Sequence, residues 1–485
     1  MASPRDTSPP LLEPALAGPL PRVRALAARR RAATWRNAAT ARRALAVSVG
    51  AALALNLVAA GAPSSFVPPS KGSFPLWMVG PLRGVASWLP DNGLFLGLGF
   101  TVLLALMVGA YLVVAACARH VPLRWGVGAL LALNLIFLLG PPLTLTDIFN
   151  YVNYARLGAL HGINPYAALP AEVPVDPSYP FATWHHLLSP YGPLFTLTSY
   201  PLVAIAGVAG AFWALKLGTV AASLGCLALT WRIARVTGRD PLGAVLLVGL
   251  NPLVLVYGLG GVHNDFFMVV LILAGIAAVL AARAAPAGAA ITAAAGVKVS
   301  AALVLPFALM ATRRRGEMVL GAIAAAAAMA ALSLAAFGFH GPGLDTQSSL
   351  VTPLSPPNLL GLALGQGGAT APVRALVTVG LVATVGWLLV RTARGYDWLA
   401  AAGWATLALV LSLSWEMPWY VLWPLPLAAL SPSLRLRRAT LALTVFLSVT
   451  MAPLTGFLIS DVCHCSPAAT ETGKRNATEI QRFLR

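Results

Sequence analysis

Runs of about 20 apolar residues, the length that crosses a bilayer as a helix, recur along this chain from Ala44 to Met451. A backbone surrounded by hydrocarbon must satisfy its own hydrogen bonds, so such runs commit the chain to helices. Candidate spans lie at 44–62, 94–117, 126–143, 193–208, 211–231, 242–260, 266–282, 287–312, 317–337, 372–391, 398–414, 417–430 and 439–459. The segments 193–208 and 417–430 are short for a full crossing. With 58% hydrophobic residues, the expectation is an all-α fold. It is a polytopic transmembrane helical bundle of about 11–13 spans, with interfacial helices in its outer loops. Three units follow: a basic N-terminal arm over 1–43, the membrane domain over 44–459, and a tail over 460–485. No cleavable signal peptide is expected, because the first apolar run starts only near Ala44.

Charge orients the bundle. The net charge is +18, and nine arginines lie in residues 1–43. By the positive-inside rule the N-terminus is cytoplasmic, against membrane lipids. Nucleic acid is not an expected partner, since no aromatic residues interleave with these arginines. Counting spans onward puts the loop 144–192 outside. Two segments then break the rule unless they are interrupted. If 193–208 is only a half-helix, Arg232, Arg235 and Arg239 fall inside. If 287–312 is a broken pair with Lys298 at its middle, Arg283 and Arg313 both fall inside. Broken helices persist at membrane depth where they line a cavity. The alanine run 324–328 reads as close-packing surface.

Few carboxylates lie between apolar runs. Asp147 in TLTDIFNY, Asp265 in GGVHNDFF and Glu416 in LSWEMPWY do. A carboxylate at a membrane edge is costly unless it faces water or a partner, so these three are expected to face one polar cavity on the outer side. Asp147 opens the longest polar loop and is the candidate general base; it also reads as the cap of an interfacial helix over about 147–161. Tyr166 in NPYAALP and Tyr191 in SPYGPLF sit in turn sequences that can shape a sugar-binding wall. His263, Asn264 and Asp265 form one polar group at the outer edge. Lys298 is an isolated cation whose anion is expected to be a substrate phosphate, with Arg156, Lys216 and Arg374 as further candidates. His185 and His186 stand beside Trp184 with no third ligand at helical spacing. Cys463 and Cys465 bracket His464, too few ligands for a zinc site. No metal and no cofactor are expected. Asn476-Ala477-Thr478 matches a glycosylation sequon.

Taken in order, TDIFNYVNYARLGALHGINPY, SPYGPLF, NPLVLVYGLGGVHND, VKVSAALVLP and WEMPWYVLWPLPL resemble the actinobacterial polyprenol-phosphomannose-dependent α-1,6-mannosyltransferases. These belong to the GT-C superfamily of integral-membrane glycosyltransferases. The resemblance covers about residues 44–432. It implies a GT-C-type bundle in the cell membrane with an extracytoplasmic active site, and a catalytic base in the first acidic loop, which falls on Asp147. It implies a polyprenyl-phosphate sugar donor and a glycan or glycolipid acceptor. Transfer is expected by one inverting displacement, with Arg156, Tyr166, Tyr191, His263, Asn264, Asp265, Lys298 and Glu416 binding substrate. The alternatives are a transporter or flippase of lipid-linked sugars, against which no internal repeat is seen, and an arabinosyltransferase of the same superfamily.

Overall fold

The computed structural model describes residues 21–61, 75–82, 84–86, 88, 93–144, 147–343, 350–464, 467 and 470–484. Every regular element among them is helical. In chain order the longer helices are α1 (Pro21–Gly61), α2 (Gly93–Cys117), α3 (Leu123–Leu139), α4 (Asp147–His161), α5 (Pro193–Val236), α6 (Pro241–Gly249) and α7 (Asp265–Leu280). They continue as α8 (Ala284–Val297), α9 (Arg315–Phe337), α10 (Ala371–Ala393), α11 (Trp398–Ser412), α12 (Leu434–Thr450) and α13 (Glu471–Leu484).

Among the described residues, five helices are long and apolar enough to span a membrane, and the bent pair from Leu434 to Val462 makes a sixth. Five further apolar helices have 10–17 residues. The long apolar runs are therefore cut more often than their length suggests. Each cut has a chemical cause. Gly207 adopts φ 64° and kinks α5, the left-handed conformation that glycine takes without penalty. That break divides the expected segments 193–208 and 211–231. Pro252 follows α6, and a π-turn over Val254–Leu259 replaces the rest of that run. The segment 417–430 is a 3-10 turn, Pro418–Leu422, then a single short helix, Leu425–Leu430. Lys298 is extended (φ −153°, ψ 124°) between α8 and a 3-10 turn over Val299–Val304. Two of these cuts, at Gly207 and at Lys298, fall in the segments that the charge pattern singled out.

Packing fixes the pieces. α8 lies against both α7 and α9, α4 against α5, and α1 against α2. At the α8–α9 crossing a side chain on Gly288 would meet Met318 O, and one on Gly321 would meet Ala285 O; two glycines let the backbones touch. The alanine run 324–328 does not supply this contact. It is mostly exposed, because the crossing falls one turn earlier. Residues 1–20 of the arm lie outside the described residues, as does Cys465. From Pro21 the arginine-rich segment continues into the first span as a single helix. The sequon Asn476 is buried on α13. Its amide nitrogen donates to Val351 O at 2.6 Å, and its oxygen accepts from Val351 N at 2.7 Å, so the atom a glycan would need is already used.

Candidate active site

Helix α4 has the expected bounds but not the expected setting. Residues 148–157 are all buried, so the helix is enclosed by the bundle rather than laid on an interface. Asp147, its first residue, stands at the wall of a small cavity of about 60 Å³. Tyr191 donates its hydroxyl to Asp147 Oδ1 at 3.2 Å, and His263 Nδ1 lies 3.4 Å from Oδ2. The carboxyl side chain keeps 16% of its surface open. Burial raises its pKa from 3.8 to about 6, against the opposing charge of Lys298 and the Tyr191 hydrogen bond. It is thus ionised at neutral pH and more basic than an ordinary carboxylate, the property a general base needs.

His263 is held in place by backbone strain and stacking. Val262, before it, adopts φ 56°, a conformation that costs a β-branched residue free energy and clusters at functional sites. The imidazole stacks on Trp419 with centroids 3.6 Å apart. Burial and the Lys298 charge hold its pKa well below the usual histidine value. The ring is therefore neutral. The carboxylate near Nδ1 favours the proton there, which leaves Nε2 as an acceptor. Asn264 follows. It is 1% exposed, it lines the cavity, and neither amide atom has a partner among the described residues. A buried amide with both ends unpaired costs free energy unless something occupies the cavity.

Asp265 opens α7 and is saturated. Lys298 Nζ donates to its two oxygens at 2.9 and 3.2 Å, and the Trp423 indole donates to Oδ1 at 2.5 Å. The expected substrate phosphate is therefore not the ammonium's first partner; the protein supplies one. Lys298 also lies over the rings of Tyr420 and Trp423, 4.7 and 5.1 Å from their centroids. Its position depends on Gly192. The Gly192 N–H donates to Val297 O at 3.1 Å, and a Cβ there would sit 2.2 Å from Gly296 O. The SPYGP turn thus clips onto the broken helix at the one residue small enough to fit. Tyr166 does not line the cavity. Its hydroxyl donates to Tyr191 O at 2.7 Å and lies 3.0 Å from Thr196 Oγ1, so it buttresses Tyr191.

Two expected members stand apart. Arg156 Nε donates to both oxygens of Asp176 at 3.0 Å, and His161 and Ser178 complete the shell of that carboxylate. Burial pushes Asp176 up, but the hydrogen bonds from Arg156, Ser178 and His161 outweigh it and bring its pKa down to about 2. This cluster ties down the 144–192 loop and lies outside the cavity lining. Glu416 is also outside it. Trp415 and Met417 line the cavity, whereas Glu416 between them does not. Glu416 is fully buried, and its carboxyl oxygens have no partner among the described residues. Burial raises its pKa from 4.5 to about 8, so it is a neutral acid at pH 7.

An aromatic wall completes the cavity: Tyr151, Tyr154, Trp184, Trp415, Trp419 and Tyr420. Sequence reasoning did not single out most of these rings, although WEMPWYVLW concentrates them beside Glu416. Beyond the wall lies a larger cavity of about 840 Å³, lined mainly by apolar surface and by Ser300 and Arg374. The two cavities share Pro190, Tyr191, Lys298, Trp415 and Tyr420. Lys298 is thus the cation shared by the small chamber that holds Asp147, His263 and Asn264 and by the larger apolar one.

Comparison with known proteins matches a family model described as "Alpha-(1->6)-mannopyranosyltransferase, N-terminal domain" to residues 47–314, and one described as "MptB C-terminal domain" to residues 357–469. The chain is 31% identical over 347 residues to alpha-(1->6)-mannopyranosyltransferase A of Mycobacterium tuberculosis, covering 63% of this chain and 65% of that protein. It is 27% identical over 371 residues to a probable alpha-(1->6)-mannopyranosyltransferase of Mycolicibacterium smegmatis, covering 64% and 66%. It is 27% identical over 369 residues to alpha-(1->6)-mannopyranosyltransferase B of Corynebacterium glutamicum, covering 65% and 60%. The chain thus spans just under two thirds of the length of these relatives. No solved structure matches it.

Proposed function

The chain belongs to the α-(1→6)-mannopyranosyltransferase family, and on that premise we propose that it transfers mannose from a polyprenyl-phosphate donor to a hydroxyl of a glycan or glycolipid acceptor. The reaction takes place at the outer face of the cell membrane. The observation that carries this reading is the shared position of Lys298 between two cavities. The apolar cavity suits a polyprenyl tail, the shared cation suits its phosphate, and the small chamber suits the sugar and the attacking hydroxyl.

Asp147 accepts the acceptor's proton as that oxygen bonds to the anomeric carbon and the carbon–phosphate oxygen bond breaks. Neutral His263 steadies the carboxylate through Nδ1. The electron pair leaves on the lipid phosphate. Lys298, bonded to Asp265 on one side, keeps its remaining ammonium donor for that oxygen, where developing charge is best stabilised. One displacement inverts the centre, so a β-linked donor gives an α-linked product. Asn264, with both amide ends unpaired among the described residues, supplies hydrogen bonds to sugar hydroxyls. The small chamber, about 60 Å³, is far below the ~300 Å³ of an ordinary ligand site, so its aromatic wall must part to admit the sugar.

The test offers purified protein one polyprenyl-phosphate sugar at a time, mannose and arabinose, with an oligomannoside acceptor. Transfer of mannose in α linkage is expected. Transfer of arabinose alone would replace the sugar assignment, and no transfer from either donor would remove the enzyme reading.

A further inference from the structure

We infer that the end of the bundle remote from Asp147 carries a second binding site, a pocket for a phosphate group. The pocket has a volume of about 470 Å³ and opens where α2 and α5 end and where α6 and α12 begin. Helix α3, of 17 residues, separates this level from Asp147 by about 25 Å at 1.5 Å per residue. Arg119, Arg239 and Arg437 line it, against a single carboxylate, Asp240. Three arginines and one acid leave a formal charge of +2 on its walls. Asp240 is already used, accepting from Leu242 N at 3.1 Å to cap α6. The ion pairs found among the described residues involve none of these three arginines. Arg437 is fixed at the wall by donating to Ala115 O at 3.2 Å.

Two helix starts frame the same pocket. The first turns of α6 and α12 both form the lining, but each end is capped from within, by Asp240 on Leu242 N and by Ser433 on Leu436 N, so the arginines carry the attraction for an anion. Planar guanidinium groups favour phosphate oxygens over a simple point charge. A topological signal alone does not explain this convergence. Arg124, Arg232, Arg235, Arg435 and Arg438 stand near the same helix ends outside the lining, and the positive-inside rule is satisfied by their number without any cavity. The phosphate chemistry has two sources, an anionic phospholipid headgroup or free phosphate. Ala115, Ala116, Leu247 and Leu434 in the lining give the apolar contact that the lipid alone would use.

Native mass spectrometry tests this on the full chain in detergent with phosphatidylglycerol, phosphatidylcholine or inorganic phosphate. Wild type is compared with Arg119→Gln/Arg239→Gln and with the control Arg232→Gln/Arg235→Gln. All four arginines are exposed, and Arg437 is left intact, so folding survives. Wild type is expected to retain phosphatidylglycerol over phosphatidylcholine. The pocket variant is expected to lose about tenfold in affinity, the scale of lost charge-assisted contacts, and the control to lose none. Retention that survives millimolar phosphate assigns the site to the lipid; displacement by phosphate assigns it to the free anion. Equal retention by all three proteins, or equal loss in both double variants, overturns the inference.

Discussion

Lys298 and Asp265 form an ion pair at 2.9 Å across 33 residues of sequence, with Asp265 1% exposed. The pair joins the helix break to the start of α7, so it is part of the scaffold before any substrate arrives. Removing one partner of a buried pair strands the other charge and typically costs about 3–5 kcal/mol. Lys298→Ala is therefore expected to lower the unfolding temperature as well as donor use. The double variant Lys298→Met/Asp265→Asn should recover most of the stability and none of the transfer. Recovery of transfer in the double variant, read in the same assay, would show that the cation takes no part in the chemistry.

Asp147→Asn keeps the shape and an acceptor oxygen but accepts no proton at neutral pH. Transfer is expected to fall ~100- to 10,000-fold, the usual share of a general base, with donor binding retained. The rate of purified variant against wild type decides it: a variant within about threefold of wild type removes Asp147 from the role.

The pH dependence follows from the same carboxyl. In the proposed role of base Asp147 must be deprotonated, so transfer should decline below its pKa of about 6, by about tenfold per pH unit as the ionised fraction shrinks. Stability moves the opposite way. Between the ordinary 3.8 and about 6 the unfolded chain has released this proton and the folded one has not, so stability falls as pH rises through that window. Asp147→Asn should thus be more stable than wild type at pH 7, and thermal unfolding between pH 4 and 7 would reveal it.

Glu416→Gln should be nearly silent in activity at pH 7, because the wild-type group is already neutral. Its folded pKa is raised from 4.5 to about 8. The stability advantage of the variant should grow across that window and then level off. A large loss of transfer at pH 7 in a folded Glu416→Gln protein would show that this carboxyl touches substrate.

Gly192→Ala places a methyl 2.2 Å from Gly296 O. Since both sides are backbone, relief requires the turn and the broken helix to separate. Such overpacking typically costs about 1–3 kcal/mol. Because Tyr191 is the neighbouring residue, transfer should fall by more than stability explains; unchanged transfer in the folded variant would mean that the clip is not needed for catalysis.

Local chemistry was readable in the sequence; pairing across distance was not. The bounds of α4, the carboxylate at its start and the polar triplet at 263–265 each follow from neighbours within one or two turns, and the break at Lys298 from charge counting. The partner of Lys298 lies 33 residues away, and no periodicity links the two. Arg156 looked like a free cation because Asp176, its partner at 3.0 Å, sits 20 residues on in a loop. Glu416 was expected in the cavity on polarity alone, whereas the fold turns its neighbours Trp415 and Met417 into the lining and buries Glu416 outside it. The aromatic wall was visible as composition, yet rings in an apolar stretch read as ordinary core until a fold closes them around a space.

The narrowness of the small chamber bears on what kind of catalyst this is. Any enzyme that loosens an anomeric carbon offers it to whichever hydroxyl is nearest, and water is the most abundant hydroxyl in the cell. A room of about 60 Å³, walled by indole and phenol rings, holds only a few waters. In the proposed reaction, a wall that parted for a sugar and closed behind it would leave the incoming glycan as the one nucleophile within reach. Sealing of this kind would separate transfer from hydrolysis.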